Sequence, residues 1–482
     1  MATGPEQQRV GVDEWVAQHE DRVELRGGLG GLARRGLRYV PGPVQLAVFA
    51  ALAATLPLWM GRGDLFSYGI FTLLYVLLGL GLNVIVGYAG LLDLGYVAFF
   101  GFGAYGYALL SSAHYGLHWP ALAVIPLVVV GTALVGLILG ISSRRLLGDY
   151  LAIVTLFFGQ AFVVFANVGN PEVHGKGLTG GVNGIAEIDQ LQFFGYELDT
   201  RTNQYLFLLG VVVVVVAALH FLSESRTGRA WRALREDPLA AEAMSIPVNR
   251  LKLMAFALGA GIAGLAGCIF ASVLSAITAG NFGVPILITI YAIVILGGIG
   301  SLTGVLLGAI VINASFQFLA PESPQSNARL LFYAVLVLLL VLAVRPAWRL
   351  AAVLGAVVAL GLATQAIVEA VAPSWTGGSV VEGGRLGDVV ENWVVIPTGH
   401  ADFGNVVYVA LVVSVLVLTR LPRGWPRTIA LIPVVYLAAI VWETSFVEQP
   451  AVARWILFGS LLVALMTLRP QGLLGTPRVE IV

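Results

Sequence analysis

The sequence predicts an all-α, polytopic membrane protein, a transmembrane helical bundle of about 14 spans. Three observations lead there. Of 482 residues, 58% are hydrophobic and only 11% charged, against roughly 25% charged in soluble domains. Apolar runs of about 20 residues, the helical length needed to cross a hydrocarbon core of about 30 Å, recur along the chain. The 27 Lys and Arg balance the 27 Asp and Glu, yet they are segregated by loop, as the positive-inside rule requires. A net charge of zero gives no argument for nucleic acid as a partner. The lone Cys268 lies in an apolar run, which excludes an intrachain disulfide framework or a cysteine-based metal site and leaves it a packing role.

Residues 1–42 are too polar for a signal peptide. Arg34, Arg35 and Arg38, just before the first apolar run, place this segment in the cytoplasm. Spans are expected at 43–60, 66–88, 94–112, 119–141, 148–167 and 204–222, and after a charged segment at 253–276, 284–300, 302–320, 329–344, 350–371, 405–420, 428–442 and 453–468. With the N-terminus inside, all but six of the 27 Lys and Arg fall on the cytoplasmic side, the six being Arg62, Lys176, Arg201, Arg329, Arg385 and Arg454. The even number of spans puts the C-terminus inside as well. Two long outer loops, 168–203 and 372–404, are expected either to touch an extracytoplasmic partner or to be simply solvated.

The charged segment Glu224 to Lys252 divides into two short helices. Ser225 and Thr227 are candidate caps for the first, and Asp237 followed by Pro238 supplies an N-cap and a helix-starting proline for the second. The first carries Arg229, Arg232 and Arg235, whose spacing of three confines them to about 120° of the helix and suits one face meeting a partner. Anchoring on the cytoplasmic side is the plainer use of the same arginines. The second places Glu242 between Ala241 and Ala243 and breaks at Pro247. A small-faced helix with one acid suits docking into a partner's groove.

Residues 81–110 hold seven glycines, at 81, 87, 90, 95, 101, 103 and 106. In a membrane such spacing either lets helix backbones approach or lets a helix break beside a protein-covered or water-filled path. Gly297-Gly298-Ile299-Gly300-Ser301-Leu302-Thr303-Gly304 is a second run of this kind. A translocation path or gate is expected beside these two breaks, at Tyr88, Gly90, Asp93, Gly95, Phe99, Gly101, Gly298 and Gly300. An acid between Leu92 and Leu94 is costly unless it meets water or a partner, or unless it caps the helix that begins at Leu94. The spans hold few ionisable residues, Asp93 being placed at a cytoplasmic end, which argues against an ion-coupled secondary transporter or channel. No catalytic motif, phosphate-binding loop or metal-ligand spacing occurs, and His114 and His118, four apart, are placed in a loop by Gly116 and Pro120.

Gly228-Arg229-Ala230, Ala233-Leu234-Arg235-Glu236-Asp237 and Ala240-Ala241-Glu242-Ala243 resemble the coupling segment of branched-chain amino acid ABC transporter permeases, the LivM-like branch. The chain departs at Ser245, where the family usually has glycine, and at Pro247, where a polar residue is common. Residues 81–110 and 297–304 resemble the same family. The resemblance runs over about 66–345 and resumes at 453–475, with its Arg-Pro-Gln-Gly-Leu ending. It implies about ten core helices in 43–345, additional spans in 346–452, and a C-terminal helix and cytoplasmic tail in 453–482. It also implies the membrane-spanning subunit of an importer for branched-chain or other hydrophobic amino acids, urea or short amides being the alternative, in a bacterial inner membrane. The chain itself would be no enzyme and bind no cofactor. ATP and Mg would sit on two ATPase subunits, coupled through Arg229, Arg232, Arg235, Glu236, Asp237, Ala241, Glu242 and Ala243. The remaining partners implied are a second permease subunit, an extracytoplasmic substrate-binding protein and membrane lipid.

Overall fold

The computed structural model describes residues 42–318 apart from 144–148, 170, 174–175 and 194–195. Beyond these it describes chiefly 332–337, 347–371, 392–395, 401–422 and 424–446, with a few single positions that include Gly472 and Leu473. Nearly all of it is helix, because in hydrocarbon only a helix satisfies its backbone polar groups within one segment. Helix α1 is Gly42–Ala54, α2 Arg62–Tyr88, α3 Tyr96–Leu110, α4 Ala121–Ser143, α5 Asp149–Asn167 and α6 Arg201–Glu224. Two short helices follow, α7 Arg226–Glu236 and α8 Pro238–Ala243. Then come α9 Val248–Leu274, α10 Val284–Gly297, α11 Leu302–Phe318, α12 Ala347–Val371, α13 Ala401–Arg420 and α14 Trp425–Val441.

Among the described residues eight helices are long and apolar enough to cross a membrane, and four shorter apolar helices accompany them. Together they overlie twelve of the expected spans. Of the other two, 329–344 is described in part, with helix over 332–337, and 453–468 lies largely outside the described residues. The chain is therefore an all-α polytopic membrane protein.

Helix α9 is the axis of the core, packed against α2, α3 and α4. Small residues make this possible. A Cβ added to Gly103 would lie 2.3 Å from the Gly264 carbonyl oxygen, and one on Gly267 would lie 2.3 Å from that of Phe100. Backbones so close gain dispersion contacts that larger side chains would forbid. Cys268 is buried at the same crossing, its Sγ 3.6 Å from the Gly103 carbonyl, and serves packing as expected. Helices α10 and α11 meet at Gly297 and Gly304, where a Cβ on either would strike the other's carbonyl.

At the end of the bundle opposite α7 and α8, the described part of loop 168–203 is fastened to the helices rather than simply solvated. Ile185–Ala186 pairs antiparallel with Ala276–Ile277, Ser112 bridges to Ile188, and the Thr179 hydroxyl donates to the Ala166 carbonyl at 2.9 Å. Ile185, Ile188 and Leu191 are buried beneath it. His114 and His118 go to separate partners here, Nε2 to the Gly177 carbonyl at 2.8 Å and Nδ1 to Asp189 Oδ2 at 2.7 Å. Loop 372–404 lies mostly outside the described residues.

Helices α12 to α14 form clusters of their own, one around Val394, Val407, Tyr436 and Ile440 and one around Val353, Val357 and Val435. The Arg349 guanidinium lies 5.4 Å from the Trp348 ring and 5.0 Å from that of Trp425, and so ties the start of α12 to the start of α14.

Candidate functional site

The site is built where the charged segment meets the two glycine-rich breaks. Helix α6 ends at Glu224, leaving its last carbonyls without helical partners and at the negative end of the helix dipole. Arg229 Nη1 donates to the Glu224 carbonyl at 2.8 Å, and Arg232 Nη2 to that of Ser223 at 3.2 Å. Both side chains remain exposed. Arg235 is different: half-buried, it turns inward, and its Nη1 donates to the Gly87 carbonyl at 2.6 Å. The stripe expected to present one face to a partner is thus divided, because all three guanidinium groups find carbonyls of their own chain.

Ser225 caps α7, its Oγ accepting from Gly228 N at 3.3 Å, while Thr227 lies inside the helix and is not the cap. The inner face of α7 carries Trp231 and Leu234, both fully buried. Trp231 Nε1 donates to the Leu251 carbonyl at 3.0 Å, and its ring stacks on Tyr88 with centroids 6.3 Å apart. Tyr88 is therefore a buried seat for α7. Asp237 Oδ1 accepts from Leu239 N at 2.8 Å and Ala240 N at 3.1 Å, and with Pro238 it starts α8 as its sequence requires.

Ala241 faces the bundle and is buried, whereas Glu236, Asp237, Glu242 and Ala243 are exposed. Leu239 and Met244 stand out beside them at 79% and 78% exposure. Ser245 has φ of +63°. That is a left-handed position in which glycine is unstrained, which accounts for the glycine usual there in the family. Pro247 closes the turn and precedes α9.

The last turns of α2, Asn83–Tyr88, are widened into a π-helix, a form common at functional positions. Asn83 Oδ1 accepts from Gly300 N at 2.8 Å, joining the α2–α3 break to the α10–α11 break. Gly90 has φ of +70° and Gly300 of +89°. A Cβ on Gly90 would lie 2.9 Å from Arg235 Cγ, and one on Gly300 would lie 2.8 Å from Arg235 Nη1, so the guanidinium fits only because both positions lack a side chain. Gly298 also has positive φ. The C-terminal tail arrives at the same place, with Leu473 N donating to the Leu296 carbonyl at 2.7 Å.

The remaining residues expected along the path separate from this node. Gly95 and Gly101 are packing positions, where a Cβ would strike the Thr155 carbonyl and the Phe162 ring. Phe99 is buried against Tyr96 and Phe158. Asp93 is fully buried. Its Oδ1 accepts from Gly95 N at 2.9 Å, its carbonyl accepts from the Tyr291 hydroxyl at 2.6 Å, and the neighbouring Leu94 N donates to Thr155 Oγ1 at 2.9 Å. Thr155 and Tyr291 each lie six residues from a helix end, Asp149 and Gly297, or about 9 Å at 1.5 Å per residue. Asp93 thus sits inside the bundle, just before the start of α3, and not at the cytoplasmic end of a span as expected. The apolar run that follows it hid this, because α3 starts at depth and is only 15 residues long.

Sequence reasoning missed Asn83, Trp231, Tyr291, the exposed Leu239 and Met244, and the contact of Leu473. An amide between Leu82 and Val84 is itself a signal, since such a group in hydrocarbon needs a partner. Leu239 and Met244 carried none, since exposure of an apolar residue is decided by the direction of the helix face.

A family model described as branched-chain amino acid transport system, permease component, matches residues 65–340, that is α2 through α11 and a little beyond. The LivM high-affinity branched-chain amino acid transport permease of Salmonella typhimurium is 36% identical over 298 residues, covering 57% of this chain and 68% of that protein. The LivM protein of Escherichia coli is 35% identical over 325 residues, covering 59% and 74%. The LivH permease of the Salmonella system is 25% identical over 201 residues, covering 41% and 62%. No solved structure matches the chain.

Proposed function

The chain belongs to the family of branched-chain amino acid transport permease components, and from that premise we propose that it is the membrane-spanning subunit of an ATP-driven importer of branched-chain or other hydrophobic amino acids. It works in a bacterial inner membrane with both termini in the cytoplasm. A second permease chain completes the passage, two ATPase subunits bind ATP and Mg, and an extracytoplasmic binding protein delivers substrate.

The observation that carries this is the outward face of α8. Leu239, Glu242, Ala243 and Met244 are all exposed on α8 or at its end, while Ala241 is buried and the preceding α7 is fixed to the bundle through Trp231 and Arg235. Two exposed apolar residues and one acid on a short helix suit a groove on an ATPase subunit. The bundle supplies the rest. An apolar amino acid needs aliphatic walls for its side chain and backbone polar groups or water for its charged ends, and helix breaks expose such groups without ionisable side chains.

Replacing Glu242 by lysine reverses the charge on the exposed side of α8. Uptake by the complex is expected to be lost while the chain stays in the membrane at its normal level. Unchanged uptake removes α8 from the mechanism.

A further inference from the structure

We propose that Arg235 is an internal latch, a positioning residue that holds the two glycine-rich breaks in register and gives way when α7 and α8 move. This rests on the importer assignment for its trigger, and on geometry alone for the latch. One guanidinium meets both breaks: it donates to the Gly87 carbonyl at 2.6 Å, and it lies where a Cβ on Gly300 would be only 2.8 Å from its Nη1. The breaks are also joined directly, since Asn83 Oδ1 accepts from Gly300 N at 2.8 Å. The arginine stem covers Gly90, leaving no room there for a side chain.

Gly87 belongs to the last turn of α2, where the final carbonyls have no donor within the helix and can accept from outside it. Arg235 is the last basic residue of an 11-residue helix that also turns Trp231 and Leu234 inward, Trp231 stacking on Tyr88 of the same α2 end. A shift of α7 therefore pulls the guanidinium and the Tyr88 seat together. With the latch closed, Ala89 beside the break is buried, at 2% exposure. With it open, the α2–α3 break loses its charged donor, and its backbone is free to take up water or substrate.

The experiment combines two readouts on the full transport complex in its membrane. Ala89→Cys places a thiol in the break, and the buried Cys268 keeps the background low. A membrane-impermeant maleimide is added to permeabilised membranes without nucleotide. Arg235→Met keeps the stem over Gly90 and removes the donor. It is expected to raise the labelling rate of the Ala89→Cys thiol about tenfold, the scale of one charge-assisted hydrogen bond. The same variant is expected to lower uptake per ATP hydrolysed by a similar factor. Arg235→Lys keeps one donor and should fall between it and the parent. Gly300→Ala strikes the guanidinium from the other side and should raise labelling even if the Arg235 variants fail to accumulate. Parental labelling rates in the variants that reach the membrane overturn the latch, as does faster labelling with unaltered uptake per ATP. Labelling does not depend on transport, so a chain that is not ATP-driven fails the second readout in the parent itself while the first still decides the latch.

Discussion

Helices α9 and α12 are both long apolar helices of one chain, yet they are built on different principles. In the most apolar stretch of α9, 67% of residues are buried, against 17% in α12. Where α9 crosses α3, glycines face carbonyls at distances no side chain can occupy. Gly355 of α12, by contrast, would find nothing within 4 Å of an added Cβ. The difference separates a core whose backbones are fixed against one another from an addition in which hydrophobicity suffices for most positions. The family match stops where that change occurs, at residue 340. Asn83, Arg235 and Tyr291 each bond between elements inside the core, and in the addition Thr364 of α12 meets the Tyr436 hydroxyl of α14.

The largest effect that tests this contrast is expected at the glycine crossing. Gly267→Leu drives a side chain into the Phe100 carbonyl and the Ala104 amide. Overpacking of this sort costs about 1–3 kcal/mol or more, and the chain should fail to accumulate as an assembled complex. Gly355→Leu should leave accumulation unchanged, its effect staying within about 0.5 kcal/mol. Equal loss in both, measured by detergent-solubilised complex yield, would erase the contrast.

An intermediate effect is expected from removing residues 347–452, which joins 328–346 to 453–475, two stretches that each run from Ala-Arg through an apolar run to Arg-Pro. The core contacts of α2 to α11 do not depend on α12 to α14 in the described residues, and Leu473 stays available to the α10–α11 break. Part of the substrate-dependent uptake should survive. A deletion that assembles but is wholly inactive would make the addition part of the transport machinery.

The smallest effect is expected at Asp93→Asn. The amide oxygen still accepts from Gly95 N just before α3, and the Tyr291 hydroxyl bonds to the backbone carbonyl and is untouched. Uptake should stay within about twofold of the parent, whereas Asp93→Ala, which leaves Gly95 N without its acceptor, should lose about 1 kcal/mol of stability. Loss of uptake in the asparagine variant alone would place the charge itself in the passage.

Much of this fold was legible because hydrocarbon leaves so few choices. Span positions followed from apolar run length, and the start of α8 followed from Asp237 and Pro238. The glycines were legible as a set but not individually. Spacing does not say that Gly90, Gly298 and Gly300 turn the chain while Gly95 and Gly101 admit a neighbour, because the distinction depends on what lies across from each. The arginines show the same limit. A period of three gives the face they share, but the carbonyls that draw them belong to the end of α6 and to Gly87, 148 residues from Arg235. Asp93 is expected at the cytoplasmic end of a span because apolar length alone cannot reveal that α3 begins inside the bundle.

Uptake of labelled leucine by proteoliposomes holding the purified complex and its binding protein, with ATP inside, outside or absent, tests the central claim most directly. Uptake should require ATP on the side that α8 faces and should fall to background with Glu242→Lys. Uptake that proceeds without ATP, or that is indifferent to Glu242→Lys, would contradict the account.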